Sequence, residues 1–224
     1  MQLRMLRIAA VVLFGCGCAE VAHAQFYAGV LGGVSTLSGD ARALLSPGST
    51  AFSSYDPKNG AAVEVLVGRH LSDYFTIQAD YIWNRNGLNL TSAASNSGIQ
   101  RGYQEARRSS QQSALADVLV YFRKRDSRLR PYLSVGTGLV HFASSEEQIQ
   151  QALGNPNLPP QHFSSNLIAL HVPVGMDVNI GKSWAFRYTF SETLSKNTIS
   201  DHLSPPGQHS FKNFQNLFGL IRRF

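Results

Sequence analysis

The chain has little cysteine, little acidic charge and no long apolar run beyond its first segment. Its two cysteines, Cys16 and Cys18, both lie near the amino terminus. The remainder of the chain therefore has no residue for a disulfide or a thiolate metal site. No apolar run after residue 25 approaches the ~20 residues that a membrane-spanning helix needs. By hydropathy alone, this part of the chain is typical of a soluble protein.

The first segment has the features of an export signal. Arg4 and Arg7 make it basic, residues 8–14 form a short apolar run, and Ala22-His-Ala24 fits a small-x-small cleavage site. This pattern predicts a signal peptide over residues 1–24. An anchoring helix is the alternative, but the apolar run is too short to span a bilayer.

A second cleavage site has to be considered within the same segment. Leu13-Phe-Gly-Cys16 resembles a lipoprotein box, although Phe14 is bulky for that pattern. Ala22-His-Ala24 fits better, so the mature chain is expected to cover residues 25–224. A chain of about 200 residues suits a single domain.

The charge balance indicates what kind of surface the protein meets. There are 20 Lys and Arg against 14 Asp and Glu, which gives a formal net charge of +6. A basic chain can bind nucleic acid, but an exported chain rarely encounters it. An anionic lipid surface is the expected partner, and no nucleic acid is expected.

Alternation of apolar and polar residues is the main structural signal. Between residues 166 and 180, Ile168, Leu170, Val172, Val174, Met176 and Val178 fall on one face, opposite residues such as His171 and Asp177. A period of two is typical of a β-strand with one apolar and one polar face. Eight such strands are predicted, around residues 26–37, 63–68, 75–84, 113–122, 132–139, 166–180, 184–191 and 211–224.

These strands favour an all-β fold, an eight-stranded antiparallel transmembrane up-and-down β-barrel. Lipid offers no hydrogen-bonding partners, so membrane-spanning strands must close into a ring. The alternative is a soluble β-sandwich or a lipocalin-like barrel, which has the same period. Trp83, Trp184 and Tyr188 favour the membrane barrel, because they lie towards strand ends where aromatic girdles occur.

The predicted connections alternate between short and long. Residues 72–74, 123–130 and 181–182 are short, whereas residues 38–59, 86–109, 143–165 and 195–210 are long and rich in Ser, Asn, Gly, Pro and Gln. In outer-membrane barrels the short turns are periplasmic and the long loops extracellular. Both termini are accordingly expected on the periplasmic side.

The carboxyl-terminal segment ends in Phe218-Gly-Leu-Ile-Arg-Arg-Phe224. Together with the signal peptide and the eight alternating strands, this ending resembles the small outer-membrane β-barrel domain family, whose best-known members are outer membrane protein A and its relatives. The resemblance covers residues 25–224. It implies an outer-membrane location in a diderm bacterium, and an insertion signal at Phe218, Leu220 and Phe224 that the barrel-insertion machinery reads. Arg222 departs from the usual aromatic or apolar residue two positions before the end.

The polar face of the strands predicts the contents of the barrel. An eight-stranded barrel is just wide enough for side chains to fill it, and isolated charges inside would be costly. We therefore expect Arg187 to pair with Glu64, Asp80 or Asp117. The predicted interior polar network is Glu64, Gln78, Asp80, Asp117, His171, Asp177 and Arg187.

Basic residues cluster in the turns on the predicted periplasmic side. They suit contact with anionic headgroups, and equally suit turns whose charges keep strand ends in water. This predicted periplasmic rim consists of Arg69, Arg123, Lys124, Arg125, Arg128, Arg130, Lys182, Arg222 and Arg223.

Motifs for catalysis are weak. No His-x-x-x-His spacing, phosphate loop or Gly-x-Ser-x-Gly elbow occurs, so no metal, cofactor or catalytic residue is predicted. His162-Phe-Ser-Ser-Asn166 faintly resembles the His-x-Ser-Asn motif of barrel enzymes that deacylate lipid A. The sequence therefore favours a monomeric, non-catalytic barrel with a plugged interior and a structural or surface-interaction role, whose loop ligand the sequence does not name. A narrow passive pore is the alternative, and a lipid A-modifying enzyme is the weaker one.

Overall fold

The computed structural model describes residues 26–37, 43–44, 50–96, 99–154, 156–203 and 210–224. The predicted signal peptide, its cleavage site and the Leu13–Cys16 segment lie outside these residues. The described strands are β1 Phe26–Leu37, β2 Ala43–Leu44, β3 Thr50–Pro57, β4 Gly60–His70, β5 Phe75–Asn96, β6 Ile99–Tyr121, β7 Leu129–Leu153, β8 His162–Asn179, β9 Trp184–Lys196 and β10 Ser210–Arg223. A 3₁₀ turn covers Ser200–His202. Among the residues described, none of the helical structure is long and apolar enough to cross a membrane.

Eight of these strands close into a ring. The hydrogen-bonded order is β1, β4, β5, β6, β7, β8, β9 and β10, and β10 pairs with β1 to complete it. Every pairing is antiparallel, and the closing ladder runs from Tyr27↔Arg223 to Leu37↔Asn213. The predicted eight-stranded antiparallel barrel is confirmed. Closure leaves no unpaired edge in the ring, which is what lipid-facing backbone requires.

The apolar face of the strands points outward. On β4, Val63, Val65 and Val67 are each more than 40% exposed, whereas Glu64 and Leu66 between them are buried. Other outward apolar side chains around the ring are Phe26, Val30, Ile77, Tyr81, Val118, Val120, Leu133, Val135, Leu139, Ile168, Leu170, Val174, Met176, Trp184, Phe186, Tyr188, Phe190, Phe218 and Leu220. A soluble β-sandwich or lipocalin-like barrel would bury this face, so that alternative is wrong.

Three strands are much longer than a bilayer crossing requires. Strands β5, β6 and β7 contain 22, 23 and 25 residues, against about 9–11 for one tilted crossing. The β5–β6 ladder continues to Asn96↔Ile99, so the expectation of a loop over residues 86–109 was wrong. Residues 143–153 are likewise strand rather than loop, and β8 already begins at His162.

The two ends of the barrel differ. The termini end carries Phe26, Phe224 and the short turns at residues 71–74, 122–128 and 180–183. The extended end carries the prolonged strands, and β3 adds a further ladder to β5 there, from Thr50↔Ser95 to Pro57↔Leu88. The predicted contrast between short and long connections therefore survives as a contrast between tight turns and tall hairpins.

Candidate functional site

A charged pair lies inside the barrel, near its termini end. Asp177 on β8 and Arg187 on β9 are register partners, and both side chains point inward and are fully buried. Arg187 Nε donates to Asp177 Oδ1 at 2.6 Å, and Nη2 donates to Oδ2 at 2.9 Å. The two parallel bonds form the bidentate arrangement that is strongest between guanidinium and carboxylate.

The Arg187 guanidinium also reaches the opposite wall. Nη1 donates to Gln78 Oε1 at 2.6 Å, and Nη2 donates to the Tyr121 hydroxyl at 2.7 Å. Tyr27 donates to the same Gln78 oxygen, and Tyr121 donates to Asp177 Oδ2. Because these residues come from β1, β5, β6, β8 and β9, they tie together strands on all sides of the lumen. We call this set the paired layer.

The expected partners of Arg187 were wrong. The sequence favoured Glu64, Asp80 or Asp117, whereas the structure pairs Arg187 with Asp177. Asp177 was among the predicted inward residues, but strand stagger determines which inward residues become neighbours. Asp177 and Arg187 face each other because the short turn between β8 and β9 sets the register of this hairpin, which the period of the sequence does not reveal.

The carboxylates that Arg187 does not contact form a second set, the acidic cluster. Asp80, Asp117 and His171 are buried and place their ligand atoms within 4.8 Å of one another. His171 Nδ1 lies 2.8 Å from Asp117 Oδ2, and Gln78 Nε2 donates to Asp80 Oδ1 at 2.6 Å. The Glu64 carboxyl group lies within hydrogen-bonding reach of Asp80.

Part of the acidic cluster has no protein partner among the described residues. Asp80 Oδ2, Asp117 Oδ1 and His171 Nε2 are buried without a hydrogen bond. Two carboxylates and an imidazole are suitable donors for a divalent cation. The same crowding is also relieved by shared protons, and the contact between Glu64 and Asp80 is a position where two carboxyl groups can share one.

The structure thus brings all seven predicted interior residues inside the barrel, in two connected groups. Gln78 links them, because its Oε1 accepts from Arg187 while its Nε2 donates to Asp80. Sequence reasoning missed the aromatic members of the paired layer. Arg187 lies 5.3 Å from the ring centre of Tyr27 and 5.0 Å from that of Tyr132. These tyrosines occupy inward-facing positions in the alternation of their strands, and this was the sequence signal that could have identified them.

Towards the extended end the lumen is first amide-rich and then apolar. The amide layer is hydrogen-bonded internally and consists of Ser35, Asn84, Asn86, Gln111 and Asn213. Beyond it lies an apolar core made of Leu37, Tyr55, Leu88, Leu90, Tyr103, Phe142, Ile199, Leu203 and Phe211. Burial raises the pKa of Tyr103 to about 12, so its phenol remains neutral at physiological pH.

A second buried ion pair lies in the extended end, and the sequence analysis did not single it out. Arg107 donates to the Glu105 carboxylate, to Ser144 Oγ at 3.1 Å and to the Pro160 carbonyl at 2.8 Å. Burial raises the pKa of the Glu105 carboxyl group, and the Arg107 charge opposes that shift. Arg107 therefore holds the segment before β8 against the barrel wall.

The predicted rim residues lie at the termini end, with one difference among them. Arg130 is fully buried, lies 3.8 Å from the Tyr121 ring centre and donates to the Asp73 carbonyl, so it belongs to the mouth of the lumen rather than to an exposed collar. Arg222 is exposed and lies over the rings of Trp184 and Phe224. These contacts accommodate a cation where an aromatic or apolar residue is usual.

The other predicted positions are placed as follows. Phe218, Leu220 and Phe224 point outward on the last strand, which pairs with both β1 and β9. His162 is exposed on the outer wall, and no described carboxylate forms an ion pair or a hydrogen bond with it. The orienting acid that a serine hydrolase needs beside its histidine is therefore not found among the described residues.

Comparison with known proteins identifies the fold. No family model and no curated protein sequence matches the chain. Among solved structures, Neisserial surface protein A is 13% identical with a TM-score of 0.57, and covers 89% of this chain and 97% of that one. Ail, the attachment invasion locus protein of Yersinia pestis, is 11% identical with a TM-score of 0.52, over 91% and 100%. The outer membrane protein OprG from Pseudomonas aeruginosa is 12% identical with a TM-score of 0.50, over 90% and 96%.

These similarities show that the chain has the fold of small outer-membrane β-barrels. The predicted resemblance is confirmed at the level of architecture. At such low identity, nothing about the loops or ligands of those proteins carries over to this chain.

Proposed function

We propose that this protein is an outer-membrane β-barrel with a plugged lumen and a structural or surface-interaction role, without catalysis. The observation that carries the proposal is the pairing of an apolar outer wall with a filled interior. The paired layer crosses the lumen, and the apolar core occupies it nearer the extended end. Such a barrel anchors in lipid and presents its extended end, without offering a wide aqueous path.

The placement in the membrane rests on the two ends of the barrel. Short turns and basic side chains at the termini end suit the periplasmic face, and the tall polar hairpins suit the cell exterior. In this placement the signal peptide over residues 1–24 directs export, and residues 25–224 form the barrel domain. The insertion machinery would read Phe218, Leu220 and Phe224, and lipids of both leaflets would surround a monomer.

One observation favours a second function, a narrow passive pore. The acidic cluster leaves Asp80 and Asp117 with unpaired oxygens inside the lumen, and a lining of one charge sign favours passage of cations. For this function the paired layer would have to act as a gate that opens. The side chains of the paired layer come from five strands that they hold together, which supports the plug instead.

Single-channel conductance in a planar lipid bilayer tests the two functions. The purified, folded protein should be silent. Arg187→Ala should also be silent, because the amide layer and the apolar core still fill the lumen. Lys196→Ala is the matched control, since Lys196 is an exposed cation outside the lumen. Regular steps from the unmodified protein would contradict the plug and support the pore.

A further inference from the structure

On strands β5 to β8 the outward-facing side chains change abruptly from apolar to polar. Tyr81, Leu139 and Ile168 lie in the last apolar row, and Ile168 is 76% exposed. The next outward row is Trp83, Gln112, His141 and Asn166, and the row after it begins at Arg85. Each outward step is about 7 Å along a strand. Arg85 therefore lies about 13 Å along the strand from the last apolar row. Because the strands are tilted, its height above that row is smaller, which places Arg85 at the level of the lipid headgroups.

A groove of about 590 Å³ opens on the wall at this height. The charged and aromatic residues that line it are Arg85, Arg108, His162, Trp83 and Phe163. Outward serine hydroxyls and one amide complete the polar lining, from Ser110, Gln112, Ser145 and Ser164. Among the described residues, no Asp or Glu lines the groove. The groove therefore combines two guanidinium groups with several neutral donors, which is the chemistry that recognises phosphate.

The cations of the groove are available to a ligand. Arg85 is exposed and forms no ion pair with a described residue. Arg108 pairs with Glu147, but both side chains are largely in solvent, at 52% and 38% exposure. An ion pair this exposed is weak and is easily exchanged for a phosphate.

The opposite wall differs at comparable height. On β9 and β10, Lys212 lies 3.4 Å from Glu192, and Lys196 lies 3.0 Å from Asp201. Acidic partners thus accompany the cations on that side. The positive surface that borders the apolar wall is concentrated on β5 to β8.

We propose that this groove binds the phosphorylated headgroup of a glycolipid of the lipid A type from the outer leaflet. Arg85 and Arg108 bind the phosphate, and the serine hydroxyls and Gln112 bind sugar oxygens. The acyl chains lie along the exposed side chains of Leu139 and Ile168 directly below. This inference rests on the proposed outer-membrane function, because it needs the extended end to face the outside.

The groove contains its own reporter. The chain has two tryptophans, of which Trp83 lines the groove and Trp184 lies at the termini end. Trp184→Phe therefore leaves Trp83 as the single fluorophore. In detergent micelles, bisphosphorylated lipid A should change Trp83 emission saturably, and dephosphorylated lipid A should not.

The decisive variant is Arg85→Gln with Arg108→Gln, made in the Trp184→Phe background. Loss of two cations at an anionic surface should weaken binding roughly thirtyfold. The matched control is Lys196→Gln with Lys212→Gln, which removes the same charge from the opposite wall and should leave affinity unchanged. Arg85→Lys with Arg108→Lys should recover part of the affinity, which shows that the glutamine variant is folded and lacks only charge.

The other outcomes overturn the inference in distinguishable ways. Equal binding of dephosphorylated lipid A would exclude phosphate recognition, and equal binding of phosphatidylglycerol would reduce the groove to a general anionic surface. Release of free fatty acid that His162→Ala abolishes would replace binding by hydrolysis. Failure of the unmodified protein to insert into phospholipid vesicles would instead contradict the proposed function itself.

Discussion

In the paired layer the Arg187 and Asp177 charges are in direct contact, whereas in the acidic cluster three carboxyl groups are accompanied by one histidine. Both groups lie inside the same eight strands and share Gln78. The paired layer uses its bidentate contact to offset the desolvation of two charges. The acidic cluster leaves buried oxygens without protein partners. Burial alone therefore does not indicate whether a charged side chain stabilises or destabilises the barrel, because that depends on the groups around it.

The largest effect is expected from breaking the paired layer. Arg187→Ala leaves the Asp177 carboxylate buried without its partner and should destabilise the barrel by about 3–5 kcal/mol. Urea unfolding in phospholipid vesicles, followed by the mobility shift of the folded barrel on unheated gels, measures it. The double variant Arg187→Leu with Asp177→Leu should lose less than either single change, because no unpaired charge remains. A double variant as unstable as the single one would contradict this account.

A steric change beside the acidic cluster should have a smaller effect on the stability of the barrel. A Cβ on Gly136 would lie 1.5 Å from Asp117 Oδ1 and 2.4 Å from the Ala116 carbonyl. Gly136→Ala should therefore displace Asp117 and cost about 1–3 kcal/mol. Gly181→Ala is the control, because nothing lies within 4 Å of the added atom. The same unfolding assay distinguishes them, and equal stability would mean that the acidic cluster has room to spare.

The smallest effect is expected from removing one charge of the acidic cluster, and this change should stabilise the barrel. Asp80→Asn keeps the shape of the side chain but removes one of the neighbouring like charges, so it should stabilise the barrel by about 1 kcal/mol at pH 8. The gain should shrink as the pH falls, because a protonated Asp80 no longer adds a like charge to the acidic cluster. Asp126→Asn, in an exposed turn, should show no such trend. A destabilised Asp80→Asn protein would indicate that the ionised cluster is neutralised by a bound cation.

The ring and its inward set follow from the sequence because both depend on a period of two. Val63, Val65 and Val67 alternate with Glu64 and Leu66, and this alternation is enough to assign faces and to count strands. The pairing of Arg187 does not follow from the period, because it is set by the short turn between β8 and β9 that brings Asp177 opposite Arg187.

The tall hairpins were missed for a different physical reason. Above the apolar belt neither face of a strand meets lipid, so the outward residues of β5 and β6 are free to be polar and alternation fades. Serine, asparagine and glutamine over residues 86–109 then give the composition of a loop. The remaining signal was weak: Leu88 and Leu90 keep the inward phase on β5, as Glu105 and Arg107 do on β6.

The continuous ladder between β5 and β6 also bears on immune recognition. Towards the tip of this hairpin, outward side chains that are neighbours in space come from two different strands, for example Thr91 and Gln104. An antibody that binds such a surface recognises a conformational epitope, which exists only while the strands are paired. Short synthetic peptides copied from either strand would lack that shape. Immunisation against the exposed tip would therefore need the folded barrel, or a closed hairpin that preserves its register.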